Sequence, residues 1–256
     1  MAHEFKSWLS YWAFVRDIEA RRYVHVDEGK EFLAAVLETG RKRRETVPAG
    51  GHLWRAQPGH KEESGDDVTG DRTWGLDADK MKPTIEYAFE GRTNPKGILH
   101  LYLATHRDTA MAEVARWSGP DVSVAQFKIC RSLEVINFTM DERPSRIYGG
   151  CEPSAELREK YVWADINEAF SKPLARSDSS ADYVPTQVIT EVFKAEGFDG
   201  VAYRSSLGPC HPGHNLVLFD LDAVDFVGAF RLGSLRSSSN SIRWGKPSSA
   251  HGEIDS

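Results

Sequence analysis

The sequence predicts a globular domain that contains both helices and strands. Two observations carry this. Apolar residues recur at helical spacing in two N-terminal stretches, 5–20 and 27–40, and again at 185–196. Short alternating or apolar runs at 98–104, 122–129, 133–138, 200–204, 215–220 and 223–230 have the character of strands. No internal repeat is present.

Composition narrows the class. The 256 residues include 40% hydrophobic and 11% aromatic side chains, enough to build a core and to argue against wholesale disorder. Lys and Arg number 32 against 38 Asp and Glu, a net charge of −6, which argues against generic nucleic-acid binding through bulk charge. Three cysteines, Cys130, Cys151 and Cys210, do not make a disulfide scaffold and suit a reducing compartment. No apolar run approaches the roughly 18 residues of a membrane span, and the polar start MAHEFKSWLS does not read as a secretory signal. A soluble, cytoplasmic protein is expected.

Taken in order, the first helix places Trp8, Trp12, Val15 and Ile18 on one side. The second places Phe32, Leu33, Val36 and Leu37 together, and Gly40 fits its stop. The basic run Arg41–Arg44 follows. It reads either as a phosphate or nucleic-acid patch or, the preferred reading, as a solvated helix end that favours cations. HLWRA (52–56) is a short apolar stretch carrying Arg55. Residues 58–80, rich in Gly and Asp, are expected to form a long loop. GRTNPKG (91–97) is a turn cluster. In ILHLYLA (98–104), Leu99, Leu101 and Leu103 face one way while His100, Tyr102 and Ala104 face the other. Asp108 is a candidate N-cap for a helix running through Glu113 to Trp117. Two strands, a polar helix near 154–170 and a loop at 173–182 come next. The helix at 185–196 has Pro185 in its first turn and Gly197 just past its end. Three closing strands lead to a tail with 8 Ser in its last 23 residues, expected to be disordered.

Common phosphate loops are absent: there is no Walker A pattern and no GxGxxG after a strand. No GxSxG elbow appears. Cys210, His211 and His214 lie close together, but a metal site needs further ligands, and a polar Pro/Gly loop is the preferred reading; no metal is expected. Arg55, Arg92, Tyr102, Glu113, Ser205 and Ser206 are polar residues set against apolar strand or helix positions, and each alone has an ordinary structural reading.

Several motifs in order give those residues a common meaning: LWRA (53–56), GRTNPKGILHLYLA (91–104), TAMAEV (109–114), VSVAQF (122–127) and YVPTQVITEVFKAEGFDGVAYRSSLGPCHPGHNLVLF (183–219). Together they resemble the RES-domain family, named for an Arg, a Glu and a Ser. The resemblance implies a fold similar to ADP-ribosyltransferases, a mixed two-sheet α+β core with flanking helices around an NAD cleft. It divides the chain into an N-terminal helical extension (1–50), the RES domain (51–232) and a disordered Ser-rich tail (233–256).

The family's activity implies NAD⁺ as substrate, with cleavage of its nicotinamide–ribose bond by phosphorolysis or hydrolysis, inorganic phosphate or water being the acceptor. It also implies a toxin neutralised by an Xre-type antitoxin. Transfer of ADP-ribose to a protein is the alternative, and a non-catalytic interaction module that keeps the fold is another. Matched by motif, the arginine function falls on Arg55 and Arg92, the aromatic on Tyr102, the glutamate on Glu113 and the serine on Ser205, which follows Tyr203 in Y-x-S. Asn215, which opens NLVLF, joins the NAD-binding set. The chemistry suits these types. Cleavage of a nicotinamide–ribose bond passes through an oxocarbenium-like state that a carboxylate stabilises. A guanidinium offers a planar fork to pyrophosphate. A tyrosine offers a flat face to nicotinamide and a hydroxyl as a polar handle.

The separation of 37 positions between Arg55 and Arg92 leaves open which arginine meets which part of NAD. The N-terminal helices are candidates to cover the cleft, dock the antitoxin or build a homodimer. Neither a membrane nor direct nucleic-acid binding is expected.

Overall fold

The computed structural model describes residues 3–21, 27–63, 72–115, 122–144, 152–172, 180–207 and 213–231. Two helices open the chain, α1 (Ser10–Arg21) and α2 (Asp27–Gly40). Four strands follow: β1 (Arg44–Val47), β2 (His52–Pro58), β3 (Lys61–Glu63) and β4 (Arg72–Trp74). Next are a one-turn helix α3 (Ala78–Met81), β5 (Leu101–Ala104), α4 (Arg107–Ala115), β6 (Val122–Ile129) and β7 (Leu133–Asn137). The rest consists of α5 (Ala155–Ser171), α6 (Val184–Ala195), β8 (Gly200–Arg204), β9 (His214–Leu218) and β10 (Val224–Arg231).

Eight strands form one mixed sheet in the order β1-β7-β8-β9-β5-β2-β6-β10. Only β7 and β8 run parallel; the other neighbours are antiparallel. The α+β expectation holds. The two expected sheets prove to be two parts of this one, five strands and three, and they meet at a single register pair, Trp54 with Ala104.

Alternation along the strands builds the core on both faces. Ile136, Val201, Tyr203 and Val217 face α1, α2, α5 and α6, where they meet Trp163 and Phe193. Their neighbours Val135, Ala202, Leu216 and Leu218 face the other way, toward Phe127 and Ile129. The N-terminal helices belong to the first of these cores. Phe5, Phe14, Phe32 and Val36 are buried in it, and the Phe14 and Phe32 rings stack at 4.5 Å.

Several local expectations are refined. Helix α2 ends at Gly40, but that residue is right-handed, with φ −63°. Glycine is required there because a Cβ would come within 2.6 Å of the Phe193 ring on α6. Gly197, by contrast, follows α6 at φ +85°, a conformation that favours glycine after a helix. Asp108 lies inside the first turn of α4, which begins one residue earlier. The expected loop 58–80 contains the β3–β4 hairpin, paired from Lys61–Trp74 to Glu63–Arg72. Buried Ser123 ties both ends of that segment down: its hydroxyl donates to the Gly59 carbonyl at 2.7 Å and accepts from the Leu76 amide at 3.0 Å.

The basic run is a set of ion pairs rather than a free patch. Arg41 meets Glu196, Lys42 meets Glu159, Arg43 meets Asp141 and Arg44 meets Glu134. Arg43 is buried and lies over the Trp163 ring, 4.5 Å from its centroid. No helix among the described residues is long and apolar enough to cross a membrane. Trp117, Cys151, Cys210, His211, positions 64–71 and 173–179, and the Ser-rich tail lie outside the described residues.

Candidate functional site

A cavity of about 1040 Å³ opens where β2 and β5 part. Five of the six residues matched by motif line it: Arg55, Arg92, Tyr102, Glu113 and Asn215. The sixth, Ser205, is buried beside it and reaches it through Glu113. Among the described residues none from 1–50 lines this cavity.

The carboxylate comes from α4. Thr109 and Glu113 are four residues apart on that helix and so share a face. Gly213, just before β9, packs on the Thr109 side chain so closely that a Cβ would collide with it. This contact lays Glu113 across the adjacent ends of β8 and β9. Glu113 Oε1 accepts from Ser205 Oγ at 2.8 Å and from Asn215 Nδ2 at 2.8 Å. Ser205 is held in turn: its amide donates to the Gly213 carbonyl at 2.9 Å, and its hydroxyl accepts from the Leu207 amide at 3.1 Å. The hydroxyl has one proton, shared between Glu113 and the Leu207 carbonyl at 2.9 Å. Two fixed donors thus aim one oxygen of the carboxylate, while the half-buried side chain remains part of the cavity wall.

Tyr102 extends from β5 into the wall, but its hydroxyl is committed elsewhere. It donates to Asn94 Oδ1 at 2.7 Å and accepts from the Thr93 hydroxyl at 2.7 Å and the Thr93 amide at 3.1 Å. A phenol has one proton and two lone pairs, so all three positions are taken. The polar handle expected for a ligand instead anchors the turn 91–94. Gly91 is needed at this contact, since a Cβ there would run into the Tyr102 hydroxyl. Gln187 on α6 braces the same turn, donating to the carbonyls of Gly91 at 2.9 Å and Asn94 at 3.0 Å. Burial raises the Tyr102 phenol above its ordinary range, so the group stays neutral.

The two arginines differ. Arg55 Nη1 donates to the Tyr102 carbonyl at 3.2 Å and bridges β2 to β5 beyond their single register pair. Burial lowers its pKa to about 10, which leaves it cationic at neutral pH. Arg92 follows Gly91 in the turn and is buried over the Tyr183 ring, 5.2 Å from the centroid. Its Nη2 is buried and has no hydrogen-bond partner among the described residues. A buried guanidinium with an unmet donor is costly unless an anion completes it. Arg92 therefore keeps one buried donor without a partner among the described residues, whereas Arg55 Nη1 has a protein acceptor.

Tyr203, Thr93, Asn94 and His100 are part of this construction without having been singled out. Tyr203 pairs in register with Asn215 and lines the cavity. Its phenol is raised well above the ordinary range, chiefly by burial, with Tyr102 and Glu113 adding to the shift. The i, i+2 alternation of His100 and Tyr102 was the available signal for His100. Among the described residues no group of three or more His, Cys, Asp or Glu is arranged to hold a metal ion. His214 is near the site, and burial lowers its pKa to about 4.

A chain of the crystal structure of the M. tuberculosis MbcT-MbcA toxin-antitoxin complex is similar at 14% sequence identity, with a TM-score of 0.42, covering 77% of this chain and 91% of that one. No curated protein matches this chain. The RES domain family model matches residues 52–237, a span that contains Arg55, Arg92, Tyr102, Glu113, Ser205 and Asn215, and the chain belongs to the RES domain family.

Proposed function

We propose that this protein binds NAD⁺ in the cleft and breaks its nicotinamide–ribose bond, acting as a cytoplasmic toxin held in check by an Xre-type antitoxin. One observation carries the reading. Glu113 is aimed into the cavity by Ser205 and Asn215, and the same cavity holds Arg92 with a buried, unpartnered Nη2. A carboxylate and a waiting guanidinium are the two charges that cleavage of a pyridinium dinucleotide needs.

When the bond from ribose C1′ to the nicotinamide nitrogen breaks, its electron pair leaves with nicotinamide. Positive charge develops on C1′ and the ring oxygen. The Glu113 carboxylate opposes that charge and can accept from ribose hydroxyls. Arg92 takes pyrophosphate oxygens, with Arg55 adding positive charge from the β2 side. The face of Tyr102 supports the flat nicotinamide ring. Water or inorganic phosphate then attacks C1′, giving ADP-ribose or its 1″-phosphate.

The test is release of free nicotinamide from NAD⁺ by purified protein, with and without inorganic phosphate. Faster release with phosphate, and a phosphorylated product, assigns phosphorolysis. Label retained on protein after incubation of ³²P-NAD⁺ with a lysate assigns ADP-ribosyl transfer instead. No release under any condition overturns the reading in favour of a binding module. Coexpression with an Xre-type protein that abolishes release supports the toxin assignment.

A further inference from the structure

Outside the carboxylate site, a chain of buried hydrogen bonds runs from α6 to the cleft. Lys194 Nζ is 3.3 Å from His100 Nε2, and His100 Nδ1 is 3.1 Å from Thr93 Oγ1. Thr93 Oγ1 is 2.7 Å from the Tyr102 hydroxyl, which is 2.7 Å from Asn94 Oδ1.

The chemistry of its ends orders every proton along this chain. A lysine ammonium only donates, so His100 Nε2 must be bare and Nδ1 must carry the proton. Nδ1–H then donates to Thr93 Oγ1, which leaves the threonine proton for Tyr102 and the tyrosine proton for Asn94. The far end agrees independently. Asn94 Nδ2 is occupied by the carbonyls of Phe89, Pro95 and Ile98, at 3.0, 3.2 and 2.9 Å, so its oxygen must face Tyr102. His100, Thr93 and Asn94 are 3%, 0% and 2% exposed, so little of this chain is open to bulk water. Burial, with Lys194 adding to it, lowers the His100 pKa to about 4, so the imidazole is neutral across the working range.

We propose that Lys194 and His100 are positioning residues for the cleft: Lys194 selects the Nδ1–H tautomer of His100, and through Thr93 that tautomer orders and holds Tyr102. In the opposite tautomer Nδ1 becomes an acceptor and draws the Thr93 proton to itself. Tyr102 then loses one of its two donors and is held to the 91–94 turn by the Thr93 amide and Asn94 Oδ1 alone. The affinity consequence rests on the cleft's proposed NAD⁺ binding; the proton order does not.

Two measurements test this. Imidazole ¹⁵N spectra of the intact protein at pH 7 are expected to show His100 as Nδ1–H. Lys194→Met is expected to convert it partly or wholly to Nε2–H. An Nε2–H or charged His100 in the parent, or no change in Lys194→Met, overturns the proposal. The second measurement is NAD⁺ affinity by calorimetric titration. In His100→Asn the amide nitrogen replaces the Nδ1–H donor, and affinity is expected to stay near that of the parent. In His100→Gln the side chain reaches toward Lys194 but offers Thr93 no donor at that place, and affinity is expected to fall about five- to tenfold. Equal losses in both variants, with thermal midpoints matching the parent, overturn the relay. A parent that binds no NAD⁺ overturns the functional reading, and the spectra still decide the relay.

Discussion

Ser205 Oγ and Glu113 Oε1 are 2.8 Å apart across 92 residues of sequence, and Asn215 Nδ2 meets the same oxygen at the same distance. The pair exists because Gly213 lets α4 press onto the start of β9. Among the described residues only Oε1 of this carboxylate is hydrogen-bonded.

That arrangement predicts an ordered loss of activity. Glu113→Ala is expected to lower nicotinamide release about 10²–10³-fold with the thermal midpoint unchanged. Ser205→Ala removes one aiming hydrogen bond and is expected to cost about five- to tenfold. Because Ser205 acts through Glu113, the double variant is expected to be no slower than Glu113→Ala alone. Steady-state assays on the three proteins read this directly. Full turnover by a folded Glu113→Ala protein would remove Glu113 from the mechanism.

Gly91→Ala tests the Tyr102 anchor from the other side. The added methyl would meet the Tyr102 hydroxyl and come within 3.1 Å of Asn94 Oδ1. Gly91 is not among the glycines with positive φ, so the cost is contact rather than backbone strain. Overpacking of this kind is expected to cost about 1–3 kcal/mol of stability. Displacement of Tyr102 should also raise KM for NAD⁺ more than it lowers kcat. Denaturant unfolding and initial-rate kinetics separate the two effects. An unchanged KM would mean the tyrosine ring does not support the substrate.

The motif residues were legible because their types and order survive whatever the loops between them do. Arg55, Arg92, Tyr102, Glu113 and Asn215 do line one cavity. What the sequence could not show is where each polar group would be spent. Tyr102 and His100 share a strand face by alternation, but the turn 91–94 that occupies the Tyr102 hydroxyl returns only through three-dimensional closure. Strand β1 was hidden by its exposed, charged edge: Arg44 and Glu45 give no apolar alternation. The β3–β4 hairpin was hidden for the same reason, because Lys61–Glu63 is polar throughout. Periodicity found the N-terminal helices but misplaced the face of α1: Trp12 is 45% exposed, while Tyr11, Phe14 and Ile18 are buried.

Their burial makes a prediction about domain boundaries. Phe5, Phe14, Phe32 and Val36 cover the same cluster as Trp163 and Phe193. Each fully buried side chain of this kind contributes roughly 1.5–3 kcal/mol. Deleting residues 1–50 would expose that aromatic surface. The truncated chain is expected to lose cooperative unfolding and to aggregate, as read by near-UV circular dichroism and sedimentation. A truncated protein that unfolds cooperatively at the parent's midpoint would make the helices a separate extension.

Acid sensitivity follows from two histidines, His100, which is buried, and His214, which is half-buried. His100 and His214 both have pKa values lowered to about 4 from 6.5, His100 by burial and then Lys194, His214 by burial and then Arg204 and His106. In the unfolded chain each takes up its proton near pH 6.5, whereas in the folded protein each resists until about pH 4. Between those limits the unfolded state binds more protons, so stability falls as pH falls. The contribution is fully present above about pH 6.5 and is exhausted below about pH 4, and it is on the order of 2–3 kcal/mol for each group. Carboxylates add their own acid dependence, so the informative quantity is the difference between the parent and His100→Asn, which cannot titrate there. Urea unfolding at pH 7, 5.5 and 4.5 is expected to give a shallower decline for the variant. Parallel declines would show that the His100 ring is already protonated, or already solvated, in the folded protein near neutral pH.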